Sequence, residues 1–537
     1  MEKRAIIFVV LSVAVLMAFQ YFFVPQTRKS EQAPPGVSEP YKTPQEQTAR
    51  PDRPDRIESP LQEPAGAAAP AAPAYKAPAA TPPASFDSEQ FVTVETDLFR
   101  AVLSSRGGTI SAFELKEYKT DDGRPVSLLT DRGMYRALSI GSNNDFSLSN
   151  QNFQVMGSDL RLKQPGAQGS VSFSLSTDNY TITRTYTFRG GSYVFDLVDR
   201  VEGLPGYSIA LGTDLGIHDR KDRYAHVGPV VLVDAKRKEY TAGKLKKPKA
   251  VTGNLKWIAL EDKYFFSALV PKGPMASADL WSYQDVPAIS LSGRPGEQSF
   301  SVYVGPKRRY ELMALDIGLE SIVDFGFFSV IAIPIFWLLK ELFAITGNYG
   351  WAIILLTIII RVPFLPLVSK SQRSMKKMQM VQPKVLELKA KYKKNPEQMN
   401  KEVMALYKKY KVNPIGGCLP LLLQLPVFFA LYKVLLAAIE LRSAPWIFWI
   451  ADLSQKDPFY VLPLVMGATM FLQQKMTPTA GDPKHQKIMQ LMPVIFTVMF
   501  LWFPSGLVLY WLINNLLAIT QQYFINKSMA TKSIEEV

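Results

Sequence analysis

Three regimes of hydrophobic and polar spacing follow one another along the chain. The first is an apolar run, AIIFVVLSVAVLMAFQYFFV, twenty uncharged residues from Ala5 to Val24 behind Lys3 and Arg4. It is long enough to span a bilayer, and its bulky end (FQYFFVPQ) lacks the small-x-small cleavage site of a secretory signal. The pattern predicts an uncleaved transmembrane signal anchor over residues 1–24, with its N-terminus in the cytoplasm. Residues 25–85 are rich in Pro, Ala, Gln and charge and nearly devoid of large apolar side chains. Such a segment buries too little surface to offset its ordering entropy, which predicts a disordered, partly extended tether on the periplasmic side.

Over residues 86–318 the spacing changes to period two. In YTITRTYTF, Tyr180, Ile182, Tyr186 and Phe188 alternate with Thr181, Thr183, Thr185 and Thr187. Gly190-Gly191 follows, and SYVFDLV resumes the alternation, which predicts a β-hairpin. AVLSSRGGTISAFEL repeats the strand–glycine–strand logic around Gly107-Gly108. A unit of this size and pattern predicts a large all-β sandwich with few helices. It follows the first span and therefore lies in the periplasm. The polar cluster GTDLGIHDRKDRYAH within it is expected to be a surface loop.

The third regime is apolar at helical length. Residues 319–348 contain FGFFSVIAIPIFWLLKELFAITG, interrupted by Pro334, Lys340 and Glu341 and read as an interfacial amphipathic helix. Five spans follow, at 349–369, 413–438, 459–474, 489–503 and 506–524. Between the first two, residues 370–411 hold thirteen Lys or Arg against three Glu, which makes that loop cytoplasmic. The loop at 439–458 has Arg442 and Lys456 against Glu440, Asp452 and Asp457 and is assigned to the periplasm. The loop at 475–488 carries three lysines and one aspartate and returns to the cytoplasm. Anchor plus five spans puts both termini inside, with residues 25–348 periplasmic and a short cytoplasmic tail at 525–537. A seventh span at 325–347 would invert every loop, so charge argues that this helix lies flat.

The basic segment, 370–412 in all, has its own order. Met378, Val381, Val385, Leu388 and Tyr392 recur at helical steps, and so do Met399, Val403, Leu406, Tyr407 and Tyr410. Asn395 is placed to cap a second helix, with Pro396 in its first turn and Gln398 completing a capping-box pattern. Two amphipathic helices joined at KKNPE form a hairpin projecting from the membrane. Lys376, Lys377, Lys384, Lys389, Lys391, Lys408 and Lys409 are its candidates for contact with anionic phospholipid headgroups or ribosomal RNA.

Composition narrows the chemistry. The formal charge of +14 is concentrated in that hairpin, so it indicates a membrane surface or a ribosome rather than DNA. One cysteine, Cys418, excludes an internal disulfide framework and any CxxC motif, and three separated histidines argue against a metal site. No GxxxxGK[ST] motif is present, and no paired acid and base stand at a catalytic spacing. No catalytic residue, metal or cofactor is expected, and the chain is not read as an enzyme.

One residue resists a structural explanation. Arg361 sits in ILLTIIIRVPFLPL, near the centre of an otherwise uncharged run from Trp351 to Val368. A central arginine opposes insertion by roughly 2.5–3.5 kcal/mol. Thr357 lies one turn away on the same face, and Pro363 and Pro366 remove amides that would otherwise bond the Ile359 and Val362 carbonyls. Gln424, Asn514, Asn515, Thr520 and Gln521 lie in other spans, with Tyr510 and Trp511 nearby. No Asp or Glu stands at that depth, which predicts a hydrated cleft whose acidic or polar partner arrives from another protein.

NPIGGCLPLLLQLPVFFALYKVL (413–435), LRSAPWIFWIADLSQKDPFYVLPLVMG (441–467) and MPVIFTVMFLWFPSGLVLYWLINN (492–515) resemble the YidC membrane-protein insertases. The arginine-bearing span and basic hairpin resemble them as well, and the layout is that of the Gram-negative form. The resemblance implies an inner-membrane protein whose five core spans enclose a hydrophilic groove, open to the cytoplasm and lipid and closed to the periplasm. It implies a groove lined by Arg361, Thr357, Gln424, Tyr510, Trp511, Asn514 and Asn515, and an external domain similar to sugar-mutarotase sandwiches. Nascent membrane proteins, the Sec translocon and, transiently, the ribosome are the implied partners. Some relatives bind ribosomes through a long basic tail. This chain ends NKSMATKSIEEV, so the hairpin is the better candidate. The competing readings are an anion transporter or channel using Arg361, and a membrane-anchored periplasmic ligand-binding protein.

Overall fold

The computed structural model describes residues 88–120, 122–129, 135–219, 225–410, 419–476 and 483–535. The anchor expected at 1–24 and the tether at 25–85 lie outside the described residues.

From Phe91 to Pro306 the chain forms one nine-stranded and two five-stranded sheets. The nine-stranded sheet is antiparallel throughout, and Phe91–Thr96 with Leu160–Leu162 makes a parallel pair elsewhere. Phe188 of the large sheet meets Phe99 of one smaller sheet, and Phe300 stacks on Tyr207 of the other at 6.2 Å. Aromatic side chains thus fill the space between layers. The hairpin expected at Gly190-Gly191 joins Thr181–Arg189 to Val194–Glu202, with Ile182 opposite Val201 and Thr187 opposite Asp196. Gly191 has φ +77°, where a residue without Cβ carries no steric penalty. The second glycine pair links Phe99–Ser104 to Thr109–Lys119.

The strand pattern conceals a charge. Arg184 shares parity with Ile182, Tyr186 and Phe188 and is fully buried with them. It makes two bonds to Asp199, at 2.9 and 3.3 Å, and donates to the carbonyls of Gly107, Gly108 and Leu138. The cluster expected as a surface loop also differs. Thr213, Asp214, Leu215 and Ile217 are buried, because the Asp262 carboxylate accepts the backbone N–H groups of His218, Asp219, Tyr264 and Phe265. That anchor draws the segment into the core.

After a short helix α1 (Arg309–Ala314), the chain is helical: α2 (Ser329–Thr346), α3 (Tyr349–Arg361), α4 (Leu365–Lys391), α5 (Pro396–Lys409), α6 (Leu419–Ala437), α7 (Val461–Met476), α8 (Pro483–Phe500) and α9 (Ser505–Glu535). Among the described residues, two helical stretches are long and apolar enough to cross a membrane, Gly326–Thr346 and Tyr349–Lys391. Gln424–Ala437 and Gln490–Phe500 are shorter apolar helices. Length and composition therefore allow α2 to span, and loop charge alone argues that it lies flat.

Several boundaries differ from the sequence reading. No helix ends at residue 369; α4 runs unbroken from the apolar segment into the basic one, and the interruption falls earlier, in a 3₁₀ turn at Val362–Phe364. The prolines at 363 and 366 put it there. The last helix does not stop at residue 524, since nothing after Gly506 breaks helical geometry. Asn395 caps α5 by accepting the Gln398 N–H, but Gln398 turns forward to Glu402 at 3.0 Å rather than back to the cap.

Candidate functional site

Helix α3 begins at a firm cap, where the Asn348 side chain accepts the N–H groups of Gly350 and Trp351. One face of it is apolar and buried (Ala352, Ile353, Leu356). Thr357 is on this face and buried with it, and its hydroxyl donates to the Ile353 carbonyl at 2.6 Å.

Arg361 ends the helix. Its Nη1 donates to Asn514 Oδ1 at 3.2 Å, while Nε has no hydrogen-bond partner among the described residues. No carboxylate of the described residues stands beside it. The Val362 carbonyl, orphaned by Pro366, is not offered to the arginine: the Leu365 N–H takes it as the 3₁₀ turn tightens. The cation is thus met by one amide and otherwise left with spare donors.

Asn514 anchors a wider cluster. Its Nδ2 donates to the Tyr510 carbonyl one turn back, and the side chains of Asn514 and Gln424 lie beside the buried Tyr510 hydroxyl. Arg361, Asn514, Tyr510 and Gln424, from α3, α9 and α6, therefore form one polar constellation between apolar helices. Asn515 faces elsewhere, donating to Thr469 Oγ1 at 3.2 Å and ties α9 to α7. Trp511 sits among Phe428, Phe496 and Phe500, with ring centroids 5.0–5.9 Å away.

Family models agree with this two-part layout. Residues 91–338 match the YidC periplasmic domain, and residues 341–532 match the 60Kd inner membrane protein. The chain is 40% identical over 556 residues to the membrane protein insertase YidC of Syntrophus aciditrophicus, covering 98% of this chain and 100% of that one. It is 41% identical over 553 residues to that of Geotalea daltonii, covering 98% and 100%. The chain belongs to the YidC membrane protein insertase family. A crystal structure of an active YidC insertase with its first transmembrane domain resolved superposes with a TM-score of 0.39 at 20% identity, covering 82% of this chain and 93% of that one.

In this YidC chain the basic hairpin is built as two packed helices. Met378, Val381 and Val385 form the buried stripe of α4, and Lys384 Nζ donates to the Tyr410 hydroxyl across the pair at 2.5 Å. Lys377, Lys384, Lys391, Lys408 and Lys409 are exposed, while Lys376 and Lys389 are half-buried. Two further groups escaped the sequence reading. Asp457, fully buried, accepts from Trp449 Nε1 and from the N–H groups of Phe459 and Leu462, and so orders the entry to α7. An Asp-Pro pair ahead of an apolar run was the available signal. Ser369 meets Gln521 of α9 at 2.9 Å, and no pattern within α4 announces it.

Proposed function

We propose that this chain is an inner-membrane insertase and chaperone for membrane proteins. It receives nascent hydrophobic segments at a hydrophilic groove around Arg361 and releases them into the bilayer. The observation that carries this reading is a cation at the end of α3, inside an apolar run, that holds one neutral amide partner and no carboxylate among the described residues. A permanently paired arginine would be structural, whereas one with spare donors suits a partner that comes and goes. Thr357, Gln424, Tyr510 and Trp511 line the same groove in this reading, with Asn514 setting the arginine's orientation and Asn515 holding the helices.

The physics is a partition. Unpaired polar groups in hydrocarbon cost several kcal/mol each, and a hydrated half-channel shortens the apolar distance a translocating segment must cross. Arg361 attracts acidic residues of that segment while the adjoining apolar helix moves into lipid. Partitioning drives the step, so it needs no nucleotide. The anchor and five core spans place both termini in the cytoplasm, with the β-domain periplasmic and α2 lying in the interface. The exposed lysines of the hairpin meet anionic headgroups or a docked ribosome, and the core works alone or beside the Sec translocon.

Depleting the protein and following a small membrane protein with a short acidic translocated tail tests the proposal. The tail should stay inside. Normal translocation of the tail would overturn the insertase reading.

A further inference from the structure

The segment from Ile359 to Pro366 carries two prolines where α3 gives way to α4. Pro363 and Pro366 each remove an amide, and the chain passes through the 3₁₀ turn at Val362–Phe364 before α4 begins. A break of this kind is a hinge unless neighbouring structure holds it. Helix α9 does so from both sides. On one side, Arg361 Nη1 meets Asn514 Oδ1 at 3.2 Å. On the other, Gln521 Nε2 donates to the Leu365 carbonyl at 3.1 Å and to Ser369 Oγ at 2.9 Å.

The spacing makes this a matched pair of faces. Leu365 and Ser369 are four apart on α4, and Asn514 and Gln521 are seven apart on α9, so each pair shares one helix face. The orientation of the Gln521 amide is also fixed. The Leu365 carbonyl only accepts, so the nitrogen must face it, and Gln521 Oε1 is left without a hydrogen-bond partner among the described residues.

We propose that Gln521 is a positioning residue that clamps the proline break shut against α9. It thereby sets both the place of the Arg361 guanidinium and the angle at which the α4–α5 hairpin leaves the membrane. Gln521 acts through Leu365 and Ser369 and touches no client itself. The link between the clamp and client insertion rests on the insertase reading, but the clamp's geometry does not.

The test uses full-length protein in proteoliposomes, with Cys418→Ser and spin labels at Met380→Cys on α4 and Tyr523→Cys on α9. Gln521→Leu removes the donors; Gln521→Lys puts an ammonium with three N–H donors in their place; Ser369→Ala removes one arm. Gln521→Leu should broaden the inter-label distance distribution and slow insertion of an acidic-tailed client about fivefold, the scale of one ordinary hydrogen bond. Gln521→Lys should restore the narrow distribution and most of the rate, and Ser369→Ala should fall between. An unchanged distribution in Gln521→Leu overturns the clamp, and so does slow insertion without broadening. If Gln521→Leu does not fold, Ser369→Ala decides alone, and a distribution like wild type overturns the proposal. Failure of the unsubstituted protein to insert the client strikes the insertase reading and leaves the distance result standing.

Discussion

At the scale of single residues, two arginines in apolar surroundings have opposite designs. Arg184 is surrounded by acceptors: Asp199 twice and three backbone carbonyls. Removing it would leave Asp199 buried without its cation, so Arg184→Met should cost about 3–5 kcal/mol, and adding Asp199→Leu should recover most of that. Urea unfolding of the purified chain measures both. Among the described residues Arg361 has one amide partner, and its Nε has none. If it serves acidic clients, Arg361→Lys should keep most insertion activity. Arg361→Ala should slow acidic clients about tenfold, the scale of a hydrogen bond to a charged group, with neutral clients less affected. Equal loss on both client types would refute the electrostatic account. Both arginines could be found by position, Arg184 by its parity with Ile182 and Tyr186 and Arg361 by its isolation in a greasy run. The partners of Arg184 could not, because Gly107 comes from an element that no local pattern connects to it, whereas Asn514 joins Arg361 through the polar residues of the other spans and the family resemblance.

At the scale of elements, period-two spacing with glycine pairs suffices to locate hairpins such as 181–202, because side-chain alternation and turn chemistry are local. Helix boundaries were less legible. The proline pair at 363 and 366 announces an interruption, but whether the chain kinks, opens or tightens depends on whether Leu365 can reach the Val362 carbonyl. Close helix approach is also invisible in a single sequence. Gly467 on α7 packs against Thr497 on α8 so tightly that a Cβ there would collide with the threonine hydroxyl. That hydroxyl is already fixed to the Pro493 carbonyl at 2.7 Å. Small residues let backbones approach in this way within apolar helix bundles. Gly467→Leu should therefore destabilise the bundle by about 1–3 kcal/mol through overpacking. Gly467→Ala combined with Thr497→Ala should be nearly neutral. Thermal unfolding in detergent distinguishes the two, and a Gly467→Leu protein as stable as wild type would show that the helices can part.

At the scale of the whole molecule, the β-rich domain and the helical half meet through specific contacts that sequence spacing cannot foretell. Arg442 donates to the Lys119 carbonyl at 2.8 Å across 323 residues of sequence and lies over the Phe265 ring, while Tyr310 stacks on Phe336. Glu440 is half-buried at this junction, with Oε2 shut away from solvent, in the 3₁₀ turn Ile439–Leu441 that follows α6. Burial raises its carboxyl from 4.5 to about 7, although Arg308 and Lys340 pull it down; Glu311 adds to the rise, and Glu440 Oε2 has no hydrogen-bond partner among the described residues. The folded chain therefore holds this proton more tightly than the unfolded chain does. Between pH 4.5 and about 7 unfolding releases it, so the stabilisation from Glu440 is fully present below 4.5 and declines as pH rises to about 7. The swing is roughly 3 kcal/mol if the whole shift is expressed, since one unit corresponds to about 1.4 kcal/mol. Glu440→Gln should flatten that part of the stability profile and raise Tm at pH 8, where the native carboxylate is charged in a buried site. Unfolding the two proteins in detergent across that pH range measures the difference. Parallel curves for wild type and Glu440→Gln would mean that the junction's pH response comes from another group.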